Sequence, residues 1–299
     1  MNSLVTIIMP AYNSQLYITD AIESVINQEY QEWELLVVDD CSTDKTKEII
    51  EQFAKLDTRI RPMYSDQNGG SPAKAKNIAL KSVINGRFIA FLDSDDLWDK
   101  KKLVQQIQFM EKNNHFALCY SGGYWIDNSG KILKKFMPRY SNGKIIDELL
   151  AQYEINNQSV VINRDIVGEF LFDESITIGE DYNIFMNIAR KFPICSIKQY
   201  LISYRVHNQS ITKQSLKRLS EGTEKTIKTL ENIDSFAIEH QKALDLAKAK
   251  VSFYKSRYLM HEKRFSEARK LLKSFRFISM KYFILYILAF FPRIWGKMT

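Results

Sequence analysis

The chain has 299 residues and a formal net charge of +7, with 45% hydrophobic and 26% charged residues. This apolar content, with 18 Phe and 15 Tyr, excludes a disordered protein and suffices for one large domain with an appendage. Three cysteines without CxxC spacing exclude a disulfide framework and a cysteine-based zinc site. The N-terminus lacks the pattern of a signal peptide, so we expect a reducing, cytoplasmic environment.

Charge is distributed unevenly along the chain. Residues 213–299 contain 19 Lys and Arg against 8 Asp and Glu, whereas residues 1–212 carry a net charge of −4. Such an asymmetry suggests two regions with different partners. We therefore expect one domain over residues 1–212, whose acidity argues against nucleic acid as its ligand, and a basic helical region over residues 213–299.

The first region alternates short hydrophobic strands with helices. The pattern predicts strands over Val5–Met9, Leu35–Val38, Ile60–Tyr64 and Phe88–Leu92, with helices over 14–29, 44–54, 71–84 and 100–112. Strands that are apolar throughout indicate an α/β fold with a parallel sheet covered on both faces. Beyond Leu118 the pattern is mixed, with strands expected over 159–162 and 197–203 and a helix over Asp181–Lys191.

Polar clusters follow three of these strands. They comprise Pro10, Ala11, Tyr12 and Asn13; Asp39 and Asp40; and Asp93, Ser94 and Asp95. Because ligands of parallel sheets bind at the carboxyl ends of the strands, we expect the clusters to form one site. Asp93 and Asp95 would suit Mg²⁺ or Mn²⁺ completed by substrate phosphates, with an acidic turn that caps the next helix as the alternative.

Three further patterns are each ambiguous alone. Asp39-Asp40 would bind the base and ribose of a nucleotide or cap the following helix. The turn Asn68-Gly69-Gly70, followed by a helix containing Lys76, would face phosphate oxygens or be only a turn, since GxxxxGK[ST] and GxGxxG are absent. Asp181 would deprotonate an acceptor hydroxyl or simply favour a helix N-terminus.

The last polar pattern is Tyr204-Arg205-Val206-His207. Its cation and imidazole would stabilise a leaving diphosphate and bind its metal, although a single histidine is more often structural.

Taken in order, TIIMPAYN, VVDDCSTD, NGG followed by AKN, FLDSDD, GED and YRVH resemble the motifs of family 2 glycosyltransferases with the GT-A fold. The resemblance covers residues 4 to about 212. It implies a Rossmann-like mixed sheet with helices on both faces, a nucleotide-sugar half over 1–118 and an acceptor half over 119–212. It also implies an inverting transferase that uses a nucleotide sugar, most often a UDP-sugar, and Mn²⁺ or Mg²⁺, so that an α-linked donor gives a β-linked product.

The resemblance assigns roles to single residues. Ala11 and Tyr12 would border the base, Asp40 would bind the uracil edge, and Asp93 would reach the ribose and the donor sugar. Asp95 would bind the metal, Asp181 would be the general base, and Arg205 with His207 would hold the diphosphate and its metal. The donor site would also include Pro10, Asn13, Asp39, Asn68, Gly69 and Ser94. Lys76 stands where the family usually has Arg, so its expected phosphate contact lacks the bidentate fork.

The C-terminal region contains an uninterrupted apolar run, Tyr282–Phe291. Ten residues are fewer than the roughly 20 that a transmembrane helix needs. Residues 263–299 contain nine Lys and Arg and one acid, Glu267. Apolar and aromatic residues flanked by cations predict a segment that lies at a membrane interface, with a helix docked on the protein as the alternative and nucleic acid disfavoured.

Bacterial members of the family with such tails commonly extend a saccharide on a polyprenyl diphosphate at the cytoplasmic membrane face. The resemblance therefore implies an acceptor of this kind, as in O-antigen or capsule assembly. Two other interpretations remain open at this stage. A nucleotidyltransferase would be expected to have a glycine-rich basic loop after the first strand, where this chain has PAYNSQ. A non-catalytic scaffold on the membrane would bind the nucleotide sugar without turnover.

Overall fold

A computed structural model of the protein describes residues 3–82, 84–207 and 216–298. The chain divides into two compact units. One comprises residues 1–146 and 154–207, and the other comprises residues 147–153 and 208–299. The predicted boundary between residues 212 and 213 lies outside the described residues.

The first unit is built on a mixed sheet. Its strands are β1 (Val5–Ala11), β2 (Trp33–Asp39), β3 (Ile60–Tyr64), β4 (Phe88–Phe91), β5 (Leu97–Trp98), β6 (Leu118–Ile126), β7 (Ile132–Phe136), β8 (Val161–Asn163) and β9 (Ile194–Arg205). Within the described residues these nine strands form one sheet in the order β3-β2-β1-β4-β8-β6-β9-β5, with β7 paired to β6. This arrangement confirms the predicted α/β class with a mixed sheet.

The helices connect these strands. They are α1 (Ile18–Ile26), α2 (Thr46–Leu56), α3 (Pro72–Lys81), α4 (Lys102–Lys112), α5 (Ile146–Ala151), α6 (Arg164–Val167) and α7 (Glu180–Lys191). α1 begins four residues later than expected, because the Ser14 backbone N–H donates to Thr46 Oγ1 and Ser14–Tyr17 form a turn. All seven residues of β2 are buried, as expected for a parallel strand covered on both faces.

Strand direction determines where the site lies. β1, β2, β3 and β4 are mutually parallel, and β8 is antiparallel to both β4 and β6. Since β9 is parallel to β6, six strands end at the same edge of the sheet. β1 lies between β2 and β4, so the chain leaves β1 at the point where the strand order reverses, where open α/β sheets bind ligands.

The second unit is helical over its described part. Its helices are α8 (Leu216–Glu231), α9 (Phe236–Glu239), α10 (Gln241–His261), α11 (Phe265–Lys273), α12 (Met280–Leu288) and α13 (Pro292–Met298), and the unit also takes in most of α5. Leu259, Leu272 and Leu285 belong to an apolar core that joins α10, α11 and α12. No helix in the ranges that the structure describes is long and apolar enough to cross a membrane.

A buried lysine in α4 gives a testable stability prediction. Lys102 is completely buried, its Nζ lies 4.0 Å from the centroid of the Trp98 ring, and no described residue hydrogen-bonds that nitrogen. Burial lowers the pKa of Lys102 to about 7. Between pH 7 and about 10 the unfolded chain therefore binds more protons than the folded one, and stability rises with pH across that window.

We expect Lys102→Met to raise the free energy of unfolding at pH 7 by about 1–3 kcal/mol, because it removes a buried, unpaired amine. It should also flatten the pH dependence between pH 7 and 10. Urea denaturation followed by tryptophan fluorescence measures both effects. The exposed neighbour Lys101→Met is the matched control. A destabilised Lys102→Met protein with an unchanged pH slope would contradict the prediction.

Candidate active site

The loops that follow β1 and β2 are bound to each other. The Asn13 side-chain oxygen accepts from the Thr43 backbone N–H at 2.8 Å, and the Asn13 N–H donates to Ser42 Oγ at 2.9 Å. Asn13 adopts a φ of 48°, in the left-handed region that asparagine tolerates. In this expected donor site, Asn13 therefore links the two loops through hydrogen bonds. The neighbouring Tyr12 is 53% exposed and available to a ligand.

Asp40 connects the end of β2 to the glycine turn before α3. Both of its carboxylate oxygens accept from the Gly69 N–H, each at 2.9 Å, and its carbonyl oxygen accepts from Asn68 Nδ2 at 3.0 Å. A side chain at position 69 would lie within 2.9 Å of Lys74 Cβ, so glycine is required there. The structure thus brings Asp40, Asn68 and Gly69 together, as the sequence predicts for one site.

Asp39 retains an unused acceptor. The residue is 3% exposed, and no described group donates a hydrogen bond to its Oδ1, although Oδ2 lies 3.4 Å from the Ser42 nitrogen. Buried carboxylate oxygens in native proteins are nearly always paired. An unsatisfied oxygen at the carboxyl end of β2 therefore fits a ligand that brings its own donor, such as a ribose hydroxyl or a base N–H.

Asp93 follows β4 and is surrounded by polar side chains. The sequence analysis did not predict these contacts. Asn157 Nδ2 and Gln158 Nε2 both donate to its carboxylate, from the turn that precedes β8. Burial raises the pKa of Asp93 to about 7, with Lys76 opposing the shift and Asp95 adding to it. Its neighbour Ser94 hydrogen-bonds Ser14 through the two hydroxyl groups at 2.6 Å.

Asp95 and His207 are in direct contact. Asp95 Oδ2 lies 2.8 Å from His207 Nε2, and the centroid of the histidine ring lies 5.2 Å from that of the Tyr17 ring, with the rings tilted by 40°. The Asp95 side chain is 32% exposed and that of His207 is 9% exposed. Sequence reasoning predicted that these two residues share a metal, and the structure brings them together from positions 112 residues apart.

One carboxylate oxygen and one imidazole nitrogen fit a divalent ion that takes its other ligands from a bound diphosphate. In the part of the chain that the structure describes, no group of three or more His, Cys, Asp or Glu side chains forms a complete protein-only site. Asp95 and His207 would therefore hold Mn²⁺ or Mg²⁺ only together with nucleotide phosphates.

Arg205 is buried and its guanidinium donates to backbone carbonyls. Nε donates to the Asp95 oxygen at 2.9 Å, and Nη1 donates to the Asn128 oxygen at 3.0 Å. Its own N–H donates to Asp96 Oδ1 at 2.6 Å, a contact that the sequence did not suggest. The guanidinium also packs 4.8 Å from the Tyr17 ring. Arg205 thus fixes the loop that carries Asp95, and its contact with the diphosphate stays a prediction of the resemblance.

Lys76 is buried and forms an ion pair. Its side chain is 2% exposed, and Nζ lies 2.9 Å from Glu180 Oε1 in an ion pair. The structure thus joins Lys76 to the start of α7, and its expected contact with donor phosphate stays a prediction. Burial favours the neutral amine, but Glu180, Asp93 and Asp181 outweigh it and raise the pKa of Lys76. The GED motif pointed to Glu180, but nothing in the sequence pairs it with Lys76.

Asp181 lies in the first turn of α7, directly after Glu180. The helix begins after Gly179, whose φ of 89° favours glycine. Burial raises the pKa of Asp181 to about 6, Glu180 adds to the shift, and Lys76 opposes it. Lys76 Nζ, which pairs with Glu180, lies 5.9 Å from the ring of Phe91 at the end of β4, so the start of α7 lies near that end of the strand. A carboxylate that titrates near 6 is ionised at neutral pH and still able to accept a proton.

Comparison with known proteins identifies the family. The profile of glycosyl transferase family 2 matches residues 6–165. The chain belongs to this family. It is 35% identical over 215 residues to the putative teichuronic acid biosynthesis glycosyltransferase TuaG of Bacillus subtilis, covering 72% of this chain and 83% of TuaG.

A second relative carries a more specific name. The chain is 39% identical over 219 residues to WfgD of Escherichia coli, a UDP-Glc:alpha-D-GlcNAc-diphosphoundecaprenol beta-1,3-glucosyltransferase, covering 72% of this chain and 82% of WfgD. These matches confirm the predicted enzyme class, a glycosyltransferase of the bacterial polysaccharide type. They decide against the nucleotidyltransferase alternative.

Solved structures confirm the fold. The crystal structure of S. aureus TarS in complex with UDP superposes with a TM-score of 0.69 at 20% identity, covering 98% of this chain and 87% of that one. The mannosyltransferase PcManGT of Pyrobaculum calidifontis, solved with GDP-Man and Mn²⁺, superposes with a TM-score of 0.58 at 13% identity, covering 99% and 86%. The predicted GT-A fold is therefore confirmed.

The position of Arg205 yields a prediction that requires no ligand. Arg205→Lys cannot donate to the Asp95 and Asn128 carbonyls together, because lysine lacks the planar fork. We expect the free energy of unfolding to fall by about 1–3 kcal/mol in urea denaturation without nucleotide. The control is Arg139→Lys, whose half-exposed guanidinium pairs with Glu154. Unchanged stability together with weakened UDP binding would instead support a diphosphate contact.

Proposed function

We propose that this glycosyltransferase transfers a sugar from a UDP-sugar to a hydroxyl group of a lipid-linked saccharide, with inversion at the anomeric carbon. The observation that carries the proposal is that the contacts Asp40–Gly69, Asp95–His207 and Lys76–Glu180, the last next to Asp181, all lie near the edge where six strands end. The UDP bound to the fold neighbour TarS and the diphosphoundecaprenol-linked substrate in the name of WfgD support the donor and acceptor classes.

The donor would lie along the ends of β1, β2 and β4. Asp40 and the free Oδ1 of Asp39 would accept hydrogen bonds from the base and ribose, and Tyr12 would border the base. Asp93, held by Asn157 and Gln158, would reach the donor sugar. Mn²⁺ or Mg²⁺, bound by Asp95 and His207, would neutralise negative charge on the departing diphosphate.

Asp181 would take the proton of the acceptor hydroxyl. Its ionised form predominates above pH 6, so the base is ready at neutral pH. A single displacement needs one base on the face opposite the leaving group, and Asp181 is proposed as that base. The product of an α-linked donor would be β-linked, in agreement with the β-1,3 linkage in the name of WfgD.

We further propose that the enzyme works at the cytoplasmic face of the membrane, in assembly of a surface polysaccharide such as O-antigen or capsule. The support comes from the outer face of the C-terminal helices. Tyr282, Leu285 and Ala289 pack into the core of the second unit. On the opposite side an apolar stripe is 39–71% exposed, comprising Met280, Phe283, Ile284, Ile287, Phe290, Phe291 and Ile294.

This apolar stripe fits an anionic phospholipid surface. Arg276, Lys281 and Arg293 flank it, and residues 276–299 contain no acidic side chain. A contiguous exposed apolar surface of this kind marks an interaction site, and the flanking cations favour lipid headgroups that carry negative charge.

Asp181→Asn tests the proposed chemistry. We expect kcat to fall by about 1,000-fold, because loss of a general base typically costs 100- to 10,000-fold, while the dissociation constant of UDP stays within about twofold. For the wild type, kcat should fall as the pH drops through about 6, since protonated Asp181 cannot accept the hydroxyl proton. Both are measured by UDP release with a polyprenyl-diphosphate-linked saccharide and by calorimetric titration with UDP. Full activity of Asp181→Asn would refute its role as base.

Asp95→Asn is the companion variant for the metal. It should abolish the Mn²⁺-dependent part of UDP binding, which a thermal shift with UDP, with and without Mn²⁺, detects. A wild-type protein that binds UDP but transfers no sugar to any lipid-linked acceptor would revive the scaffold alternative.

Replacing three residues of the apolar stripe tests the membrane proposal. We expect Phe283→Ser, Ile287→Ser and Phe290→Ser together to reduce co-sedimentation with vesicles containing phosphatidylglycerol by at least about tenfold, because each removes apolar area from the lipid contact. Ile132→Ser with Leu133→Ser, equally exposed on β7, is the matched control and should leave sedimentation unchanged. Equal loss in both proteins, or binding independent of anionic lipid, would contradict the proposal.

A further inference from the structure

Two consecutive residues of α3 hold both ends of the segment that leads into α7. Asn77 binds the segment at Phe172, and Lys76 binds it at Glu180. Both α3 side chains are almost completely buried. The segment 172–180 ends immediately before Asp181, so α3 determines where the proposed base is held.

The Asn77 contact is a closed pair of hydrogen bonds. Its Oδ1 accepts from the Phe172 N–H at 2.8 Å, and its Nδ2 donates to the Phe172 carbonyl at 2.9 Å. Nδ2 also lies 2.9 Å from Glu174 Oε1. A side-chain amide that satisfies both backbone groups of one residue fixes that residue as firmly as a strand partner does.

The Lys76 contact is a buried ion pair with two aromatic rings beside it. Nζ lies 2.9 Å from Glu180 Oε1, and the rings of Phe172 and Phe91 lie 5.0 and 5.9 Å from the ammonium. Removing one partner of such a pair leaves an uncompensated buried charge, which is strongly unfavourable. The pair therefore ties the first residue of α7 to α3.

We propose that Lys76 is a positioning residue, which together with Asn77 holds the segment 172–180 so that Asp181 stays beside Asp93, and that it does not bind donor phosphate. The proposal rests on the proposed function in that Asp181 is taken as the base.

The charges around Asp181 give this proposal a distinctive signature. Three charged groups act on its carboxylate: Glu180 from its own helix, Lys76 from α3 and Asp93 from the end of β4. Glu180 raises the pKa of Asp181 and Lys76 lowers it. Replacing Lys76 alone and replacing Glu180 alone should therefore move the acid limb of the pH–rate profile in opposite directions. A merely structural role would not produce opposite shifts.

The experiment compares Lys76→Met, Lys76→Arg, Glu180→Gln and the double variant Lys76→Met/Glu180→Gln. In Lys76→Met we expect kcat to fall by about 100-fold, as for a misplaced catalytic group, and the acid limb to move to higher pH. In Glu180→Gln the acid limb should move to lower pH. The dissociation constant of UDP should stay within about twofold in all four proteins. Lys76→Arg should recover most of kcat, because it retains the charge.

Lys74→Met is the matched control, since Lys74 is an exposed lysine of the same helix. The acid limb of the pH–rate profile of Lys74→Met should not move. If Lys76→Met weakens UDP binding tenfold or more while kcat is retained, Lys76 is a donor contact and the proposal is wrong. If Lys76→Met does not fold, the double variant removes both charges together, and unchanged kcat in that protein would overturn the proposal.

Amide hydrogen exchange separates this proposal from the proposed function. Loss of the ion pair should speed exchange of residues 172–183 by at least about tenfold relative to the sheet, whether or not the protein transfers sugar. If the wild-type protein transferred no sugar but Lys76→Met still exchanged faster, the result would support Lys76 as a positioning residue. The glycosyl-transfer assignment would then have failed on its own. Unchanged exchange in Lys76→Met would overturn the positioning role of Lys76, even if the wild-type protein is an active glycosyltransferase.

Discussion

The shared direction of six strands is the constraint on which the site depends. Because β1, β2, β4, β6 and β9 all end at one edge, loops that are distant in sequence meet there. Asp40 reaches Gly69, and Asp95 reaches His207, 112 residues further along the chain. None of these side chains needs an unusual backbone to do so. The sheet supplies the convergence, and the hydrogen bonds among the loops fix the final positions.

Convergence has an electrostatic consequence. Asp93, Asp95, Glu180 and Asp181 lie close enough for their charges to interact, with the ammonium of Lys76 among them. Burial and mutual repulsion raise the pKa of Asp93 to about 7 and that of Asp181 to about 6, which places both near neutrality. Carboxylates in such surroundings are suited to exchanging protons and to receiving a cation. Lys76 and Arg205, for which the resemblance implies phosphate contacts, are buried in this structure and contact Glu180 and the carbonyl oxygens of Asp95 and Asn128, respectively.

The second unit follows a different physical rule. Its helices bury one side in a core that includes Leu272 and Trp295 and leave an opposite apolar side exposed. Exposing the apolar side chains of Phe283 and Phe290 to water is unfavourable, whereas the proposed contact with a lipid surface would bury them. The positive charge of residues 213–299 and the negative charge of residues 1–212 are consistent with this division of roles.

The sequence alone was sufficient for the fold class and the family, and it predicted residues such as Asp95 and His207 that the structure brings into contact. Strands such as Val5–Ala11 and Trp33–Asp39 contain consecutive apolar residues, and polar motifs directly follow these strands, so local pattern and order carried the information. β6 was missed, because Gly122 and Gly123 break its pattern. Only the packed strands show why glycine is needed there, since a side chain at Gly122 would lie 2.7 Å from the Phe136 carbonyl. Tertiary structure alone decided which partners the buried cations contact, because burial and pairing depend on contacts between residues 104 positions apart, as for Lys76 and Glu180, which no local pattern records.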